Sequence, residues 1–477
     1  MSTTTSSARQ RIETLLDENS FVEIGAKVTA RATDFNMNKA ETPSDGVITG
    51  YGVIDGNLVY VYSQDASVLG GTVGEMHAKK IAGLYDLAMK VGAPVIGLLD
   101  SAGLRLQEAT DALSAFGELY LKQSMASGVI PQISAVFGNC GGGLAILSGL
   151  SDFVFMEGSK AKLFVNTPNS LDGNTAAKCN SASADFQSKE SGVVDGIGSE
   201  AEVLSKVRAL VSMLPSCNED EQPCVECVDD LNRVSEDLAN CVGDTAVALS
   251  FIADNNEFVE VKEDYDKSMV TGFIRLNGAT VGCVANRTEV LDDNGEVAEK
   301  LDGVLTVKGC EKAASFIQFC DAFNIPILSL TNVKGFEATV DSEKRIAKAV
   351  ASLTYAFANA TVAKVNVVIG KALGSAYIAM NSKAIGCDFT YAWEDAEIGT
   401  MDAKLAAKIM YEGQGADTID AKAKEYAALQ TSAESAAKRG YVDTIISAAE
   451  TRKYVIGAFE MLFTKREDRP VKKHGTV

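Results

Sequence analysis

The chain has 477 residues, of which 46% are hydrophobic and 23% are charged, and its formal net charge at pH 7 is −20. This length favours two or three domains, and this composition is typical of a well-packed globular protein. The negative charge argues against nucleic acid or an anionic membrane surface as the main partner. No apolar run approaches the roughly 18 uninterrupted residues that a bilayer span requires.

Residues 1–21 show no apolar stretch before charged residues appear, which indicates that they are not a secretory signal peptide. The chain has ten cysteines at irregular spacing, a pattern that predicts free thiols in a reducing compartment. We therefore expect a cytoplasmic protein.

The first half of the chain alternates strand-like and helix-like segments. Residues 45–65 contain two β-rich runs around an Asp-Gly-Asn turn, which predicts a hairpin. Residues 75–92 have apolar residues at helical spacing, and residues 94–100 form an apolar run suited to a buried strand. A helix over about 110–127 and a strand over 132–138 are predicted next. This alternation predicts an α/β fold with largely parallel strands.

A glycine-rich stretch occurs twice. GNCGGGLAILSGLSDFVFM begins at Gly138, and GKALGSAYIAMNSKAIGCDFTYA begins at Gly370, 232 positions later. The segment at 92–103 returns at 324–335 with the same spacing. This period far exceeds the roughly 20–50 residues of solenoid repeats, so it indicates a duplicated domain.

The repeat sets the predicted domain boundaries. An amino-terminal domain covers residues 1–215, a carboxyl-terminal domain covers residues 246–477, and an acidic linker lies between them at 216–245. Four cysteines in or beside this linker are candidate metal ligands: Cys217, Cys224, Cys227 and Cys241. A single C-x2-C is weak evidence for zinc, so we favour a solvated linker with incidental thiols and predict no metal.

Glycines between a strand end and a helix can aim unpaired backbone N–H groups at an anion. Such donors, pointed at a carbonyl that becomes an enolate, can each supply about 3–4 kcal/mol of transition-state stabilisation. Close helix–strand packing is the alternative explanation for one glycine run. Two copies at matching positions favour two oxyanion sites, which suit a reaction between two carbonyl partners.

Side chains suited to acid–base catalysis are few. The histidines are His77 and His474, and no common nucleophile, zinc-protease or P-loop motif is present. His77 is a candidate general base, and Glu108 and Glu397 are candidate acids or bases. The favoured interpretation is a packing histidine on a helix and surface or structural carboxylates. We therefore expect the chemistry to depend on backbone donors.

Several long segments resemble the carboxyltransferase subunits of biotin-dependent acyl-CoA carboxylases and decarboxylases. They include GGTVGEMHAKKI from Gly70, LLDSAGLRLQEA from Leu98 and LTYAFANATVAKVNVVIGKALGSAY from Leu353. The resemblance extends over nearly the whole chain and implies two duplicated crotonase-like domains, built as ββα superhelices. It implies transfer of a carboxyl group between biotin and the α or vinylogous carbon of a short acyl-CoA.

The resemblance also assigns site residues by position. The amides expected to hold the thioester oxygen are those of Gly142 and Gly143. The amides expected to hold the biotin ureido oxygen are those of Gly374, Ser375 and Ala376. The residues expected to shape the CoA side are Gly70, Gly71, Gly103 and Arg105. Ile378 lies where the family varies its acyl pocket, and an apolar residue there favours a short uncharged acyl group.

The resemblance implies biotin on a separate carrier protein, since the Ala-Met-Lys at Lys90 ends a predicted helix and is no biotinylation hairpin. It implies self-association as a dimer or a trimer of dimers, with sites shared between copies. A biotin carboxylase or a membrane decarboxylase subunit is the expected further partner, and no nucleic acid or metal is expected. The location would be the cytoplasm or the periphery of a membrane complex.

Three alternatives stay open at this point. A biotin-independent malonyl-thioester decarboxylase is also compatible with the RLQEA segment at 105–109. A crotonase-type hydratase or isomerase needs paired acids, which are not obvious near either glycine run. A catalytically silent scaffold would fit the segment 333–340, which departs from the family's Pro-Gly-Phe-Leu-Pro-Gly pattern. The sequence decides neither the acyl group nor the direction of transfer.

Overall fold

The computed structural model describes residues 6–220, 223–292 and 294–470. The chain divides into two compact units, Met1–Glu221 and Gln222–Val477. None of the described helices is long and apolar enough to cross a lipid bilayer.

The segment predicted as a linker, residues 216–245, contains this division. In the first unit the Asn218 N–H donates to the Val129 carbonyl at 3.0 Å. In the second unit Leu238 and Cys241 are buried in the hydrophobic core. Part of the segment is therefore packed on the units rather than solvated.

The described residues of the first unit form alternating strands and helices. The strands are β1 (Val22–Ile24), β2 (Val47–Ile54), β3 (Asn57–Gln64), β4 (Val95–Ser101), β5 (Gln132–Gly141), β6 (Phe153–Glu157), β7 (Lys162–Phe164) and β8 (Gly196–Gly198). The helices are α1 (Ser7–Leu15), α2 (Glu75–Val91), α3 (Ala109–Ala126), α4 (Gly143–Gly149), α5 (Asn174–Ala177), α6 (Ala184–Lys189) and α7 (Glu200–Met213). The hairpin and the helices predicted for this half are confirmed.

The second unit repeats this succession with additions. Its strands are β9 (Phe258–Val261), β10 (Met269–Leu276), β11 (Ala279–Asn286), β12 (Glu289–Leu291), β13 (Val297–Lys300), β14 (Ile327–Val333), β15 (Lys364–Leu373), β16 (Phe389–Trp393), β17 (Glu397–Gly399) and β18 (Thr444–Ile446). Its helices are α8 (Thr245–Ile252), α9 (Val307–Ala322), α10 (Val340–Glu343), α11 (Ile346–Asn359), α12 (Gly374–Ala379), α13 (Ala403–Met410), α14 (Ala416–Tyr426), α15 (Ala433–Lys438) and α16 (Thr451–Leu462).

Each unit contains an eight-stranded sheet within the described residues, and the two sheets have the same strand order. In the first the order is β1-β2-β3-β4-β5-β6-β8, with β7 beside β5. In the second it is β9-β10-β11-β14-β15-β16-β18, with β17 beside β15. The hairpin strands pair antiparallel and the later strands pair parallel. The common order confirms the prediction of an α/β fold with duplicated domains.

The duplication extends to strand register. Val95 of β4 pairs with Gln132 of β5, and Ile327 of β14 pairs with Lys364 of β15. Each member of the second pair lies 232 positions after its counterpart. Both ladders shift register just before the strands end. The repeated glycine turns follow directly after this shift.

Helices cover the sheet where the site forms. In the first unit α2 packs against α3, and in the second α9 packs against α11. Ile81, Leu84, Tyr85 and Ala88 form the buried stripe of α2 and join the core of the first unit. The helical spacing of these apolar residues is the pattern that predicted the helix.

Candidate active site

The loops after β3 and β4 are held together by backbone hydrogen bonds. The Ala102 N–H donates to the Gly70 carbonyl at 2.9 Å, and the Val73 N–H donates to the Gly103 carbonyl at 2.9 Å. The Arg105 N–H donates in turn to the Val73 carbonyl at 3.0 Å. Since β3, β4 and β5 are parallel neighbours, these loops lie together at the carboxyl ends of the strands. Ligands of α/β proteins bind at these ends.

The second unit repeats the same connections. The Lys334 N–H donates to the Gly303 carbonyl, the Leu305 N–H to the Gly335 carbonyl, and the Glu337 N–H to the Leu305 carbonyl, each at 2.9 Å. The scaffold beneath the two glycine turns is therefore duplicated along with the sheets.

The turn between β5 and α4 depends on Gly142. Its φ of +62° and ψ of −123° form a conformation that is accessible to glycine and strained for other residues. The Gly142 N–H donates to the Phe164 carbonyl of β7 at 2.9 Å. The Gly143 N–H has no hydrogen-bond partner among the described residues, and its carbonyl accepts from the Tyr120 hydroxyl at 2.9 Å. Gly143 thus offers a free donor, whereas Gly142 supplies the shape of the turn and its N–H is already used.

The glycines predicted on the CoA side lie in the adjoining loops. Gly70 is exposed, and its N–H has no partner within the described part of the chain. The Gly71 N–H is used within its own loop, and the Gly103 N–H donates to the Ser101 hydroxyl at 3.1 Å. A Cβ atom on Gly103 would lie 3.8 Å from the Gly141 carbonyl oxygen, so this loop lies beside the β5 turn.

The corresponding turn of the second unit depends on Gly374, whose φ is +63°. Gly374 follows the Leu373–Gly399 pair that ends the β15–β17 ladder, as Gly142 follows the Gly141–Phe164 pair. Ser375 and Ala376 lie in the first turn of α12, where N–H groups have no partner within the helix. Gly374 is half-buried and Ser375 is exposed, whereas Ala376 is only 1% exposed. The accessible donor is therefore that of Ser375, and Gly374 supplies the shape of the turn.

Gly138 and Gly370 have a different role from the glycines of the turns. A Cβ atom on Gly138 would overlap the Asp100 carboxylate, and one on Gly370 would lie 2.6 Å from the Asn332 Oδ1 atom. These glycines allow a polar side chain at the end of the neighbouring strand to pack against the backbone. Close packing, the alternative explanation for the glycine runs, thus applies at these two positions.

Arg105 lies at the centre of a buried ionic cluster. Its Nη1 atom is 2.6 Å from Asp45 Oδ1 and 2.8 Å from Glu108 Oε1, and its side chain is fully buried. Its Nη2 atom donates to the Thr72 carbonyl at 2.7 Å. The Glu75 N–H, at the start of α2, donates to Glu108 Oε2 at 2.6 Å. Because its guanidinium is fully buried, Arg105 is placed to hold these loops together rather than to contact a ligand directly.

His77 is fully buried beside this cluster. Its Nδ1 atom lies 3.0 Å from the Asp45 carbonyl oxygen and its Nε2 atom 3.2 Å from Gln64 Nε2, which assigns a neutral ring that donates through Nδ1 and accepts through Nε2. Burial, together with the charge of Arg105, lowers its pKa to about 3. The geometry agrees with a packing role. His474 lies outside the described residues.

Two further residues lie near the second turn. Glu397 is exposed on β17, opposite Lys371 of β15. Ile378 of α12 is 37% exposed.

No cluster of three or more His, Cys, Asp or Glu side chains in the described residues could hold a metal ion. The ten cysteines, all of which the structure describes, are unpaired.

Sequence reasoning missed two lysines that repeat with the domain, of which Lys80 is half-buried and Lys312 is buried. Lys80 and Lys312 lie 232 positions apart, and each ammonium group donates to two backbone carbonyls at the entry to a hairpin. Burial lowers the pKa of each to about 8. The repeat spacing, applied to charged residues as well as glycines, is the signal that could have found them.

Comparisons with known proteins agree with this architecture. Residues 3–477 match the family model described as the carboxyl transferase domain. The chain is 40% identical to the propionyl-CoA carboxylase beta chain of Roseobacter denitrificans, covering 98% of this chain and 93% of that protein. It is 39% identical to the methylmalonyl-CoA decarboxylase subunit alpha of Propionigenium modestum, covering 98% and 92% respectively.

The solved structure of transcarboxylase 12S, with hydrolysed methylmalonyl-coenzyme A bound, is similar with a TM-score of 0.91 and 36% identity, covering 98% of this chain and 92% of that one. This likeness confirms the predicted duplicated fold. With the family match over residues 3–477, it shows that the chain belongs to the carboxyl transferase domain family.

Proposed function

We propose that this chain is the carboxyltransferase component of a biotin-dependent acyl-CoA carboxylase or decarboxylase. It would move a carboxyl group between biotin on a separate carrier protein and the α or vinylogous carbon of a short acyl-CoA. The observation that carries this proposal is the occurrence, in each of two duplicated units, of a glycine turn with unpaired backbone N–H groups. Membership of the carboxyl transferase domain family supports it.

The acyl thioester would bind at the turn of the first unit. The Gly143 N–H, with the Gly70 N–H from the adjoining loop, would donate to the thioester oxygen. These bonds strengthen as the oxygen gains negative charge in the enolate, and each well-placed donor contributes about 3–4 kcal/mol. The enolate forms in carboxylation and in decarboxylation, so the same donors serve both directions.

Biotin would bind at the turn of the second unit. Its ureido oxygen is a hydrogen-bond acceptor, and the accessible N–H group of Ser375 fits such a group, with Gly374 shaping the turn. When bound, carboxylated biotin supplies the carboxyl group, and its ring nitrogen can accept the α-proton. Ala376 would support the turn from behind, and Ile378 would border the acyl pocket. Holding both reactants in place can contribute about 7–11 kcal/mol.

Domain roles and partners follow from the same proposal. Residues 1–215 would form the acyl-CoA half and residues 246–477 the biotin half, joined by 216–245. The partners would be a second copy of the chain, in a dimer or a trimer of dimers, a biotin carboxyl carrier protein, and a biotin carboxylase or membrane decarboxylase subunit. The names of the relatives as subunits, and the hexamer assembly described for transcarboxylase 12S, support this. We place the protein in the cytoplasm or at the periphery of a membrane complex.

The test is transfer of carboxylate from malonyl-CoA or methylmalonyl-CoA to free biotin by the purified chain. We expect biotin-dependent loss of the carboxylated thioester. Decarboxylation that ignores biotin would favour a biotin-independent decarboxylase, and hydration of crotonyl-CoA would favour a hydratase. Failure of all three reactions would favour a catalytically silent scaffold.

A further inference from the structure

A cavity of about 700 Å³ opens beside the glycine turn of the first unit. One wall is the β5–β7 ladder, in which Asn139 pairs with Lys162 and Gly141 pairs with Phe164. Phe164 lines the cavity and also accepts the Gly142 N–H through its carbonyl. The cavity and the turn therefore share one strand rung and lie next to each other.

The opposite wall is the loop after β7, which Asn174 organises. The Asn174 side chain donates to the Pro168 carbonyl at 2.6 Å and the Cys179 carbonyl at 3.0 Å, and accepts from the Cys179 N–H at 2.8 Å. These bonds fix the loop that carries Lys178 over the cavity. The wall is thus built before any ligand binds.

The charges around the cavity favour an anion. Lys162 and Lys178 both line it, and neither forms an ion pair within the described residues. The residues that line it include asparagines, threonines and a cysteine but no aspartate or glutamate. In a chain with net charge −20, a cavity that has cations and no carboxylates stands apart from the average surface.

The corresponding rung of the second unit has a carboxylate that the rung beside this cavity lacks. At the matching rung Lys371 of β15 lies opposite Glu397 of β17, so the lysine has a carboxylate across the ladder. In the first unit the partner of Lys162 is the neutral Asn139. Lys371 lies where the first unit has Asn139, and Glu397 lies where it has Lys162, so only the first unit has a lysine at this rung without a facing carboxylate.

We propose that this cavity binds an anionic, oxygen-bearing group of the acyl thioester, with Lys162 and Lys178 as its cationic ligands. The group is either a carboxylate of the acyl portion or a phosphate of coenzyme A, since both offer the same anionic oxygens to an ammonium group. The inference rests on the proposed function, because it places the thioester at the adjoining turn.

Calorimetric titration of the full chain at low ionic strength tests this. The ligands are acetyl-CoA, malonyl-CoA, acetyl-pantetheine and malonyl-pantetheine, which separate the carboxylate from the phosphates. The variants are Lys162→Gln and Lys178→Gln, with Lys90→Gln as the control. Lys90 is an exposed lysine at the end of α2 in the same unit, and it is not among the residues that line the cavity.

We expect each cavity variant to raise the Kd about tenfold, as loss of a hydrogen bond to a charged group does, and the control to leave it unchanged. Weakening of both CoA ligands but neither pantetheine identifies a phosphate. Weakening of both malonyl ligands, with acetyl ligands unaffected, identifies a carboxylate. Unchanged binding of all four ligands in both variants would overturn the proposal.

The titration can fail independently of the carboxylate-transfer assay that tests the proposed function, because the titration contains no biotin. A wild-type chain that transfers carboxylate to biotin, with cavity variants that bind normally, overturns only the cavity inference. A chain that shows the lysine-dependent binding but transfers nothing overturns only the proposed transfer.

Discussion

Two aspartates at equivalent positions of the two units have different surroundings. The Gln132 N–H donates to the Asp152 carboxylate at 2.8 Å, and the Lys364 N–H donates to the Asp388 carboxylate at 2.8 Å. Asp388 also forms an ion pair with Lys465 at 2.8 Å. No ion pair of Asp152 is found within the described residues. Asp388 thus has a counter-charge, whereas Asp152 has none among the described residues.

Burial raises the pKa of Asp152 to about 7, and the nearby Asp195 carboxylate adds to the shift. Between its ordinary pKa of 3.8 and about 7, the folded chain holds a proton that the unfolded chain has lost. Stability from this group therefore falls as pH rises through that window, and the loss is complete above pH 7.

We predict that Asp152→Asn raises the melting temperature at pH 8, because the amide keeps an acceptor for the Gln132 N–H and removes an uncompensated charge. A gain of at least ~2–4 °C is expected, the shift that about 1 kcal/mol produces in a domain of about 150–250 residues, close to the size of each unit. The gain should vanish near pH 4. Asp388→Asn, the matched control, should lower the melting temperature at pH 8. Equal destabilisation by both variants would contradict the account.

At the scale of elements, the loops around the first turn depend on the buried cluster of Asp45, Arg105 and Glu108. Both carboxylates also accept N–H groups from the first turn of α2, those of His77 and Glu75. One guanidinium therefore ties the start of β2, the loop after β3, the loop after β4 and the beginning of α2 together.

We predict that Arg105→Met lowers the free energy of unfolding by about 3–5 kcal/mol, since it leaves two buried carboxylates without a counter-charge. The triple variant Asp45→Asn, Arg105→Met, Glu108→Gln should regain most of this loss. Denaturant unfolding followed by circular dichroism measures both.

Arg208→Met is the control for this prediction. Arg208 pairs with Asp17 at 2.8 Å and with Asp55 at 2.5 Å, donates to the Leu15 carbonyl at 2.7 Å, and has a side chain that is 27% exposed. Loss of such a surface pair should cost about 0–1 kcal/mol. If the single variant at Arg105 cost no more than this control, the cluster would not be what holds the loops.

The sequence could predict the helices and strands but not the long-range contacts between them. The hydrophobic periodicity, the segment lengths and the positions of the glycines identify α2, β4 and both turns. The pairing of Gly142 with Phe164 depends on a three-residue strand that returns to β5, and such a short strand has no sequence signal. The burial of Arg105 depends on Asp45, which lies 60 positions earlier. These long-range contacts decided which N–H groups are free and which are used.

For the whole molecule, the central feature is one architecture used twice with unequal details. Sheet order, register and loop connections repeat, as do Lys80 and Lys312 with their backbone acceptors. The residue after the turn glycine is Gly143 in one unit and Ser375 in the other, and the rung beside the turns differs in charge. We infer that duplication supplied two similar glycine turns. Side-chain changes around these turns would then have assigned one to the acyl thioester and the other to biotin.

The most direct measurement is the infrared carbonyl stretch of [1-¹³C]propionyl-CoA bound to the full chain. Backbone donors at the first turn should lower the stretch of the bound thioester relative to that in water. Gly374→Ala, which alters the other turn, should preserve this lowering, and Gly142→Ala, which strains the first turn, should abolish it. A bound thioester whose stretch equals that in water in the wild-type chain would contradict the account.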